Sequence, residues 1–332
     1  LRVTIRRSKT DQEGAGRQVG LVRGRHRMTD VVTAVNDWKD AARIESGPLF
    51  RAVDRGGRVG AERLSDRAVA RAVRLAVVHD APLTVVSVLE ENASDAQQTE
   101  RKDQVTRFCK SLKDCDTITL NVVIATGDPV DEVHEAAREA GAEIVILGLH
   151  KPRTILDSMR ETTMEKLVRT SPRPALLVKN PADHAYRSVL AAVDFSHAAE
   201  AAVTEARRLA PEAEIAMVHA VHVPYQSSVG APGGVGEIPT MVDPAPFVKD
   251  AENRNKAWQA RGARLGDLEP ADVLVGPISF VLKREVTARN PDLLAIGAHN
   301  TSGAVDWLLG SIAADLIREP PCDLLVAPAT VT

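Results

Sequence analysis

The chain has 332 residues, a formal net charge of −3, 44% hydrophobic residues and only 3% aromatic ones. Cores must then be built from Ala, Val, Leu and Ile, a composition that suits helices packed on a parallel sheet. No apolar run approaches the roughly 18 residues of a membrane span and no signal-peptide pattern is present, so the expectation is a cytoplasmic protein without membrane contact. The near-neutral total hides an asymmetry: residues 1–74 carry 17 Lys+Arg against 9 Asp+Glu, and the remainder 25 against 36. A basic front on an acidic body points to pieces of different origin, or to an arm that faces nucleic acid. Within that front, Val3–Ile5 and Gln18–Val22 alternate apolar and polar residues around the turn-forming Asp11–Gly16, which predicts a β-hairpin. Residues 29–43 follow as a helix with Val31, Val32, Val35, Trp38 and Ala42 on one stripe, broken at Gly47–Pro48.

SKTDQEG (8–14) and GPLFRAVDRGGRVGAERLSDRAVARAVR (47–74) resemble the middle of a tyrosine recombinase (phage-integrase) catalytic domain. Lys9 occupies the place of that family's hairpin lysine. The upstream arginine segment, the His-x-x-Arg box and the tyrosine nucleophile are not found, and strand cleavage needs nucleophile and phosphate clamp together. The resemblance therefore implies a fragment, residues 1–48, without recombinase chemistry, Lys9 being a relic. A basic solvated arm is the plain reading; DNA binding through Arg6, Arg7, Lys9, Arg23, Arg25 and Arg27 is the alternative.

From Arg74 onward strands and helices alternate. Strands are predicted at 83–89, 117–125, 143–150 and 175–180, with helices at 95–113, 127–142 and 162–170 between them. The pattern repeats as strand, helix, strand over 186–224, a Gly/Pro/Ser-rich loop over 226–243, a helix over 245–265, a strand in 271–277 and a helix over 280–291. Residues 292–328 close the chain as strand, glycine-bearing loop, helix (308–317) and strand, a usual place to hold phosphate at a helix N-terminus. GAEIVILGLH (141–150) aligns with NPDLLAIGAH (290–299), and SPRPALLVKN (171–180) with EPPCDLLVAP (319–328). That is an internal duplication of about 150 residues, right for two tandem domains, 49–181 and 185–330.

The duplicated unit resembles the universal stress protein family. The resemblance implies an α/β fold of two tandem, doubly wound, parallel five-stranded sheets, of the adenine nucleotide alpha-hydrolase-like kind, after the N-terminal hairpin and helix. Many members bind ATP through Gly, two residues, Gly, nine residues, then Gly and Ser or Thr. Here the second repeat reads Gly297, Ala298, His299, Asn300, nine residues, Gly310, Ser311. Asn300 stands in place of the second glycine; it tolerates a left-handed backbone but crowds an approaching phosphate. Asp194 matches the acidic residue that the family places after its first strand. The resemblance thus implies base and ribose contacts around Ala192, Asp194, Ala220, Ile296 and Gly297, and phosphate contacts from His299, Asn300, Gly310 and Ser311. The cofactor would be ATP or a related adenine nucleotide, with or without Mg.

The first repeat departs further: Gly148 matches, but Lys151 replaces the second glycine and Glu161–Thr162 replaces Gly-Ser, so no nucleotide is expected there. Its central strand has no obvious counterpart. LFRAVD (49–54) reads like LAAVD (190–194), so Leu49–Val53 is expected to fill that slot, since an empty one exposes two sheet edges.

Other candidates are plainer. GAPGGVG (230–236) does not join a strand to a helix, so it reads as a loop rather than a dinucleotide fingerprint. His219 and His222 lack further metal ligands and read as strand residues. His150 reads as a structural relic, and Trp307, beside Asp306, as packing at a dimer interface. Cys109, Cys115 and Cys322 have no metal-ligand spacing and fit reduced thiols. No metal box, nucleophile or catalytic base stands out, so the expected function is a stress-response regulator binding nucleotide in its second domain. The alternatives are a nucleotide-free interaction module and a DNA-associated protein. Expected partners are the nucleotide and either a second copy of the chain or the chain's own other repeat.

Overall fold

The computed structural model describes residues 2–5, 17–20, 64–149, 163–223, 225–227, 239–241, 243–261, 269–298 and 311–328. The chain divides into two compact units, Leu1–Arg63 and Leu64–Thr332. In the first, β1 (Arg2–Ile5) pairs antiparallel with β2 (Arg17–Gly20), Arg2 opposite Gly20 and Ile5 opposite Arg17. This is the hairpin that the alternation predicts. Lys9, the helix expected at 29–43 and the strand expected at 49–53 lie outside the described residues.

The larger unit begins with α1 (Leu64–Val78), then β3 (Leu83–Leu89), α2 (Asp95–Lys110) and β4 (Leu120–Thr126). Ser94 starts α2 with a reciprocal capping box: its hydroxyl accepts from the Gln97 amide, and the Gln97 side chain accepts from the Ser94 amide. Next come α3 (Pro129–Glu139), capped by Asp128 with Pro129 in the first turn, β5 (Val145–Gly148), α4 (Thr163–Thr170) and β6 (Ala175–Val178). The second repeat is β7 (Ser188–Ala192), α5 (His197–Leu209), β8 (Glu214–Val221), β9 (Tyr225–Ser227), β10 (Pro239–Met241), α6 (Ala245–Arg261), β11 (Asp272–Val275), α7 (Ile278–Arg289), β12 (Leu293–Ala298), α8 (Ser311–Arg318) and β13 (Asp323–Pro328). The segment 226–243, expected to be loop throughout, carries a short antiparallel pair at its ends, Tyr225 opposite Met241. Tyr225 and Thr240 favour extended chain there, and Pro239 takes the first position of its strand, where a missing amide is tolerated.

Seven strands form one sheet in the order β11-β8-β7-β12-β13-β6-β5. The first five are the second repeat's own parallel sheet, wound outward on both sides of β7. The remaining two belong to the first repeat and join it through an antiparallel contact between β6 and β13, Leu177 opposite Leu324 and Leu176 opposite Leu325. Among the described residues, β3 and β4 form a separate two-stranded parallel sheet. Burial follows this division. Leu293, Leu294, Ala295, Leu324 and Leu325 are fully buried, whereas every residue of β3 and β5 is half-buried. The strands of the large sheet that are covered on both faces are the near-continuous apolar runs of the sequence.

Two apolar clusters cover the two faces. Leu75 of α1, Val203 and Leu209 of α5, Trp258 of α6 and Leu325 pack on one face; Val168, Val281, Val286, Ile317 and Leu324 pack on the other. The first cluster draws on both repeats. Arg208 at the end of α5 also reaches the Glu143 carboxylate at 2.7 Å. On the opposite face, Arg318 Nε donates to the buried Glu165 of α4 at 2.6 Å. The repeats therefore share core and salt links as well as a strand pairing.

Candidate functional site

In the second repeat the chain runs from β7 to β8 on one side and returns to β12 on the other. The strand order reverses beside β7, and a crevice at the carboxyl ends of the strands is the expected ligand position in such a sheet. Ala192 ends β7 and lies opposite Ile296 of β12 and Val218 of β8; Ala220 is two residues further along β8. Ala192 and Ala220 are half-buried and share a face of the sheet with Ile296, so the ends of β7 and β8 carry small side chains there, whereas Gly297 faces the other way.

Gly297 has a packing reason for lacking a side chain. A Cβ built there would lie 2.4 Å from the carbonyl carbon of Ala198 and 2.7 Å from the amide nitrogen of Ala199, both backbone atoms of the first turn of α5. Only glycine lets β12 and the start of α5 approach this closely.

Asp194, Phe195 and Ser196 make the turn from β7 into α5. The Asp194 carboxylate accepts from the Ser196 amide at 3.1 Å and its hydroxyl at 2.5 Å, and Ser196 in turn caps the helix by accepting from the Ala199 amide. Phe195 holds φ at 66°, a left-handed value that a bulky residue adopts only when its surroundings impose it. Its ring lies 4.4 Å from the His219 ring and 5.7 Å from Trp258, with the Arg254 guanidinium 5.4 Å above its centroid. Arg254 Nη2 donates to the Asp194 carbonyl at 2.9 Å. His219 Nδ1 donates to the Val193 carbonyl at 2.8 Å, which leaves Nε2 as the acceptor of the neutral ring. Burial holds the His219 pKa below its ordinary value, with a smaller push in the same direction from the Arg254 charge. His219 thus ties the ends of β7 and β8 together.

Of the residues singled out from sequence, the structure brings Ala192, Asp194, Ala220, Ile296 and Gly297 to one end of the sheet. Ser311 opens α8, the helix that follows β12. His299, Asn300 and Gly310 lie outside the described residues, as do His150, Lys151, Glu161 and Thr162 of the first repeat. Arg254 and Phe195 are additions to the set. Ser196 is legible as a cap two residues after Asp194, but Arg254 belongs to a helix whose exposed polar residues carry no distinguishing pattern. Among the described residues no group of three or more His, Cys, Asp or Glu side chains could hold a metal. An open hollow of about 380 Å³ lies elsewhere, in the first repeat, where His134 Nε2 donates to the Thr170 hydroxyl at 2.9 Å. It holds none of the residues singled out above.

A parallel sheet wound outward from β7, with helices on both faces, defines the doubly wound α/β class. The universal stress protein family model matches residues 59–179 and 185–328, and the chain belongs to this family, in tandem form. A universal-stress-family protein of Staphylococcus aureus (strain USA300) is 27% identical over 143 residues, 42% of this chain and 83% of that protein. A universal stress protein structure from Archaeoglobus fulgidus superposes with a TM-score of 0.57 at 16% identity, covering 81% of this chain and 96% of that one. A universal-stress-family structure from Pseudomonas aeruginosa gives 0.54 at 17% identity, covering 81% and 89%. These likenesses bear out the α/β fold and the tandem arrangement. No helix among the described residues is long and apolar enough to cross a membrane.

Proposed function

We propose that the chain is a regulatory universal stress protein that binds ATP or a related adenine nucleotide, with or without Mg, at the C-terminal ends of β7, β8 and β12. The supporting observation is the face of small residues Ala192 and Ala220 beside Ile296 at the strand-order reversal, followed by a helix that starts at Ser311, with Gly310 just before it in sequence. Ala192, Ala220, Ile296 and Asp194 would seat base and ribose; His299, Asn300, Gly310 and Ser311 would meet the phosphates at the N-terminus of α8. No side chain is assigned a catalytic task. Occupancy would bias pairing with a second copy or with another protein in the cytoplasm, and any hydrolysis would be incidental.

Calorimetric titration of the full chain with Mg-ATP tests this. The expected result is one site per chain, lost in Gly310→Asp, which places a carboxylate where phosphate would sit. No heat at millimolar ATP supports a nucleotide-free interaction module instead, with the Asn300 side chain in the way. The N-terminal stretch reads as a recombinase remnant whose basic residues offer a DNA-binding arm. That second reading requires salt-dependent duplex DNA binding that disappears when residues 1–48 are removed.

A further inference from the structure

The contact between the repeats contains a buried ionic cluster whose two charged members come from different repeats. Arg71 on α1 and Asp323 at the start of β13 have side chains only 2% and 0% exposed, and Arg71 Nε lies 3.4 Å from Asp323 Oδ2. Asp323 Oδ1 accepts from the amides of Lys179 and Asn180 at 2.8 and 2.7 Å, and Oδ2 from the Tyr186 hydroxyl at 2.7 Å. Arg71 donates to the carbonyls of His184 and Pro181 at 2.7 and 3.0 Å, and its guanidinium stacks 4.3 Å from the Tyr186 ring centroid. Arg67 and Arg74 grip the same linker, at the carbonyls of Lys179, Ala182 and Asp183. The basic face of α1 therefore holds the segment that joins the repeats.

The register of β6 on β13 is that of a two-fold axis: Leu176 faces Leu325, the counterpart of Leu177, and Leu177 faces Leu324, the counterpart of Leu176. Each side of the junction thus has a symmetry mate. Arg74-Leu75-Ala76 aligns with Arg208-Leu209-Ala210, with Leu and Ala buried in both, so Arg71 corresponds to Glu205. Asp323 corresponds to Ala175. The mate of the Arg71–Asp323 pair is therefore Glu205 with Ala175, which makes no ion pair between the repeats; Glu205 pairs instead with Arg208 of its own helix at 2.9 Å.

We propose that Arg71 and Asp323 decide which repeat pairs with which: they admit first repeat on second across β6 and β13 and reject two second repeats or two first repeats. Two second repeats would set Glu205 in the place of Arg71 beside the buried Asp323, twice by symmetry. Two first repeats would set Arg71 against the Ala175 methyl, again twice. Each alternative strands a buried charge, which is far costlier than replacing a buried pair by apolar groups. Specificity of this kind comes from what the wrong partner leaves unpaired. Beside the Arg318–Glu165 and Arg208–Glu143 links, the edge of β13 is thus matched to a surface that brings a cation at position 71.

The test uses the full chain and reads thermal unfolding and sedimentation over a range of loading concentrations. Arg71→Met keeps the apolar stem and loses the charge; Arg71→Glu adds a like charge and is expected to lower Tm further, by about 6–15 °C from wild type. In the double variant Arg71→Glu/Asp323→Arg part of that loss returns, because a pair forms again. The same variant now also admits two second repeats, Arg at 323 facing Glu205, and self-associates more strongly with concentration than wild type. A neutral cycle guards against misfolding of the reversed pair: Arg71→Met and Asp323→Ala together cost less than the sum of the single losses. Equal losses in the Met and Glu variants, an additive cycle, or a folded reversed pair that sediments like wild type overturns the proposal.

Discussion

A methyl group added at Gly297 would lie 2.4–2.7 Å from backbone atoms of Ala198 and Ala199, closer than real Cβ contacts come. Backbone cannot swing aside as a flexible side chain can, so β12 and α5 would have to separate. Gly297→Ala is expected to destabilise the chain by about 1–3 kcal/mol, read as a lowered denaturation midpoint with unchanged m-value. A substitution as stable as wild type would mean that β12 and α5 can move apart at no cost. His219 gives a second expectation at this scale. Burial keeps its folded-state pKa below the ordinary 6.5, and the groups around it are Phe195, the Val193 carbonyl, Arg254 and Asp194. As pH falls through 6.5 the unfolded chain binds a proton that the folded chain resists. The stability contributed by the neutral ring is therefore complete above that pH and lost as the pH drops towards the lowered value. Thermal melts between pH 7.5 and about 5 should show declining Tm, with a shallower slope in His219→Asn, whose amide can still donate to the Val193 carbonyl. An unchanged slope would mean that His219 does not titrate in this window.

The elements themselves were largely legible. Leu83–Leu89 is a strand over the very residues that the apolar run marks, because a strand of Val, Leu and Thr bounded by Pro82 and by polar Glu90–Glu91 has few alternatives. Helix starts follow from capping chemistry at Ser94, Asp128 and Ser196, and helix stops from Pro172 and Pro320. The duplicated strand–glycine pattern exposed the tandem organisation, since a repeated core must repeat its buried residues. What stayed hidden depends on residues far apart in sequence. Arg71 reads as one more exposed charge on a basic helix, yet it is 2% exposed and meets Asp323 from the other repeat. Arg254 reads as solvated, yet it covers Phe195 and bonds to the turn after β7. In the candidate site the small residues were visible as a family-like pattern, but the reason for Gly297 was not. It comes from the approach of α5, which no spacing within 297–311 reveals.

At the scale of the molecule the second repeat is the better-built half. Its central strands β7 and β12 have neighbours on both sides in a seven-stranded sheet, and Leu190, Leu293 and Leu294 are at most 1% exposed. The first repeat divides its described strands between two sheets: β5 and β6 complete the large one, while β3 pairs with β4 alone and has no fully buried residue. A two-stranded parallel ladder has few internal contacts to defend its hydrogen bonds, and stability varies locally with such contacts. Native-state hydrogen exchange should therefore show the amides of β3 and β4 opening at markedly lower free energy than those of β7, β12 and β13. Amides of β6 should follow the second repeat rather than β3, because β6 is stitched to β13 and clamped through Lys179 and Asn180 to Asp323. Uniform protection across all these strands would show that β3 and β4 are held as firmly as the large sheet.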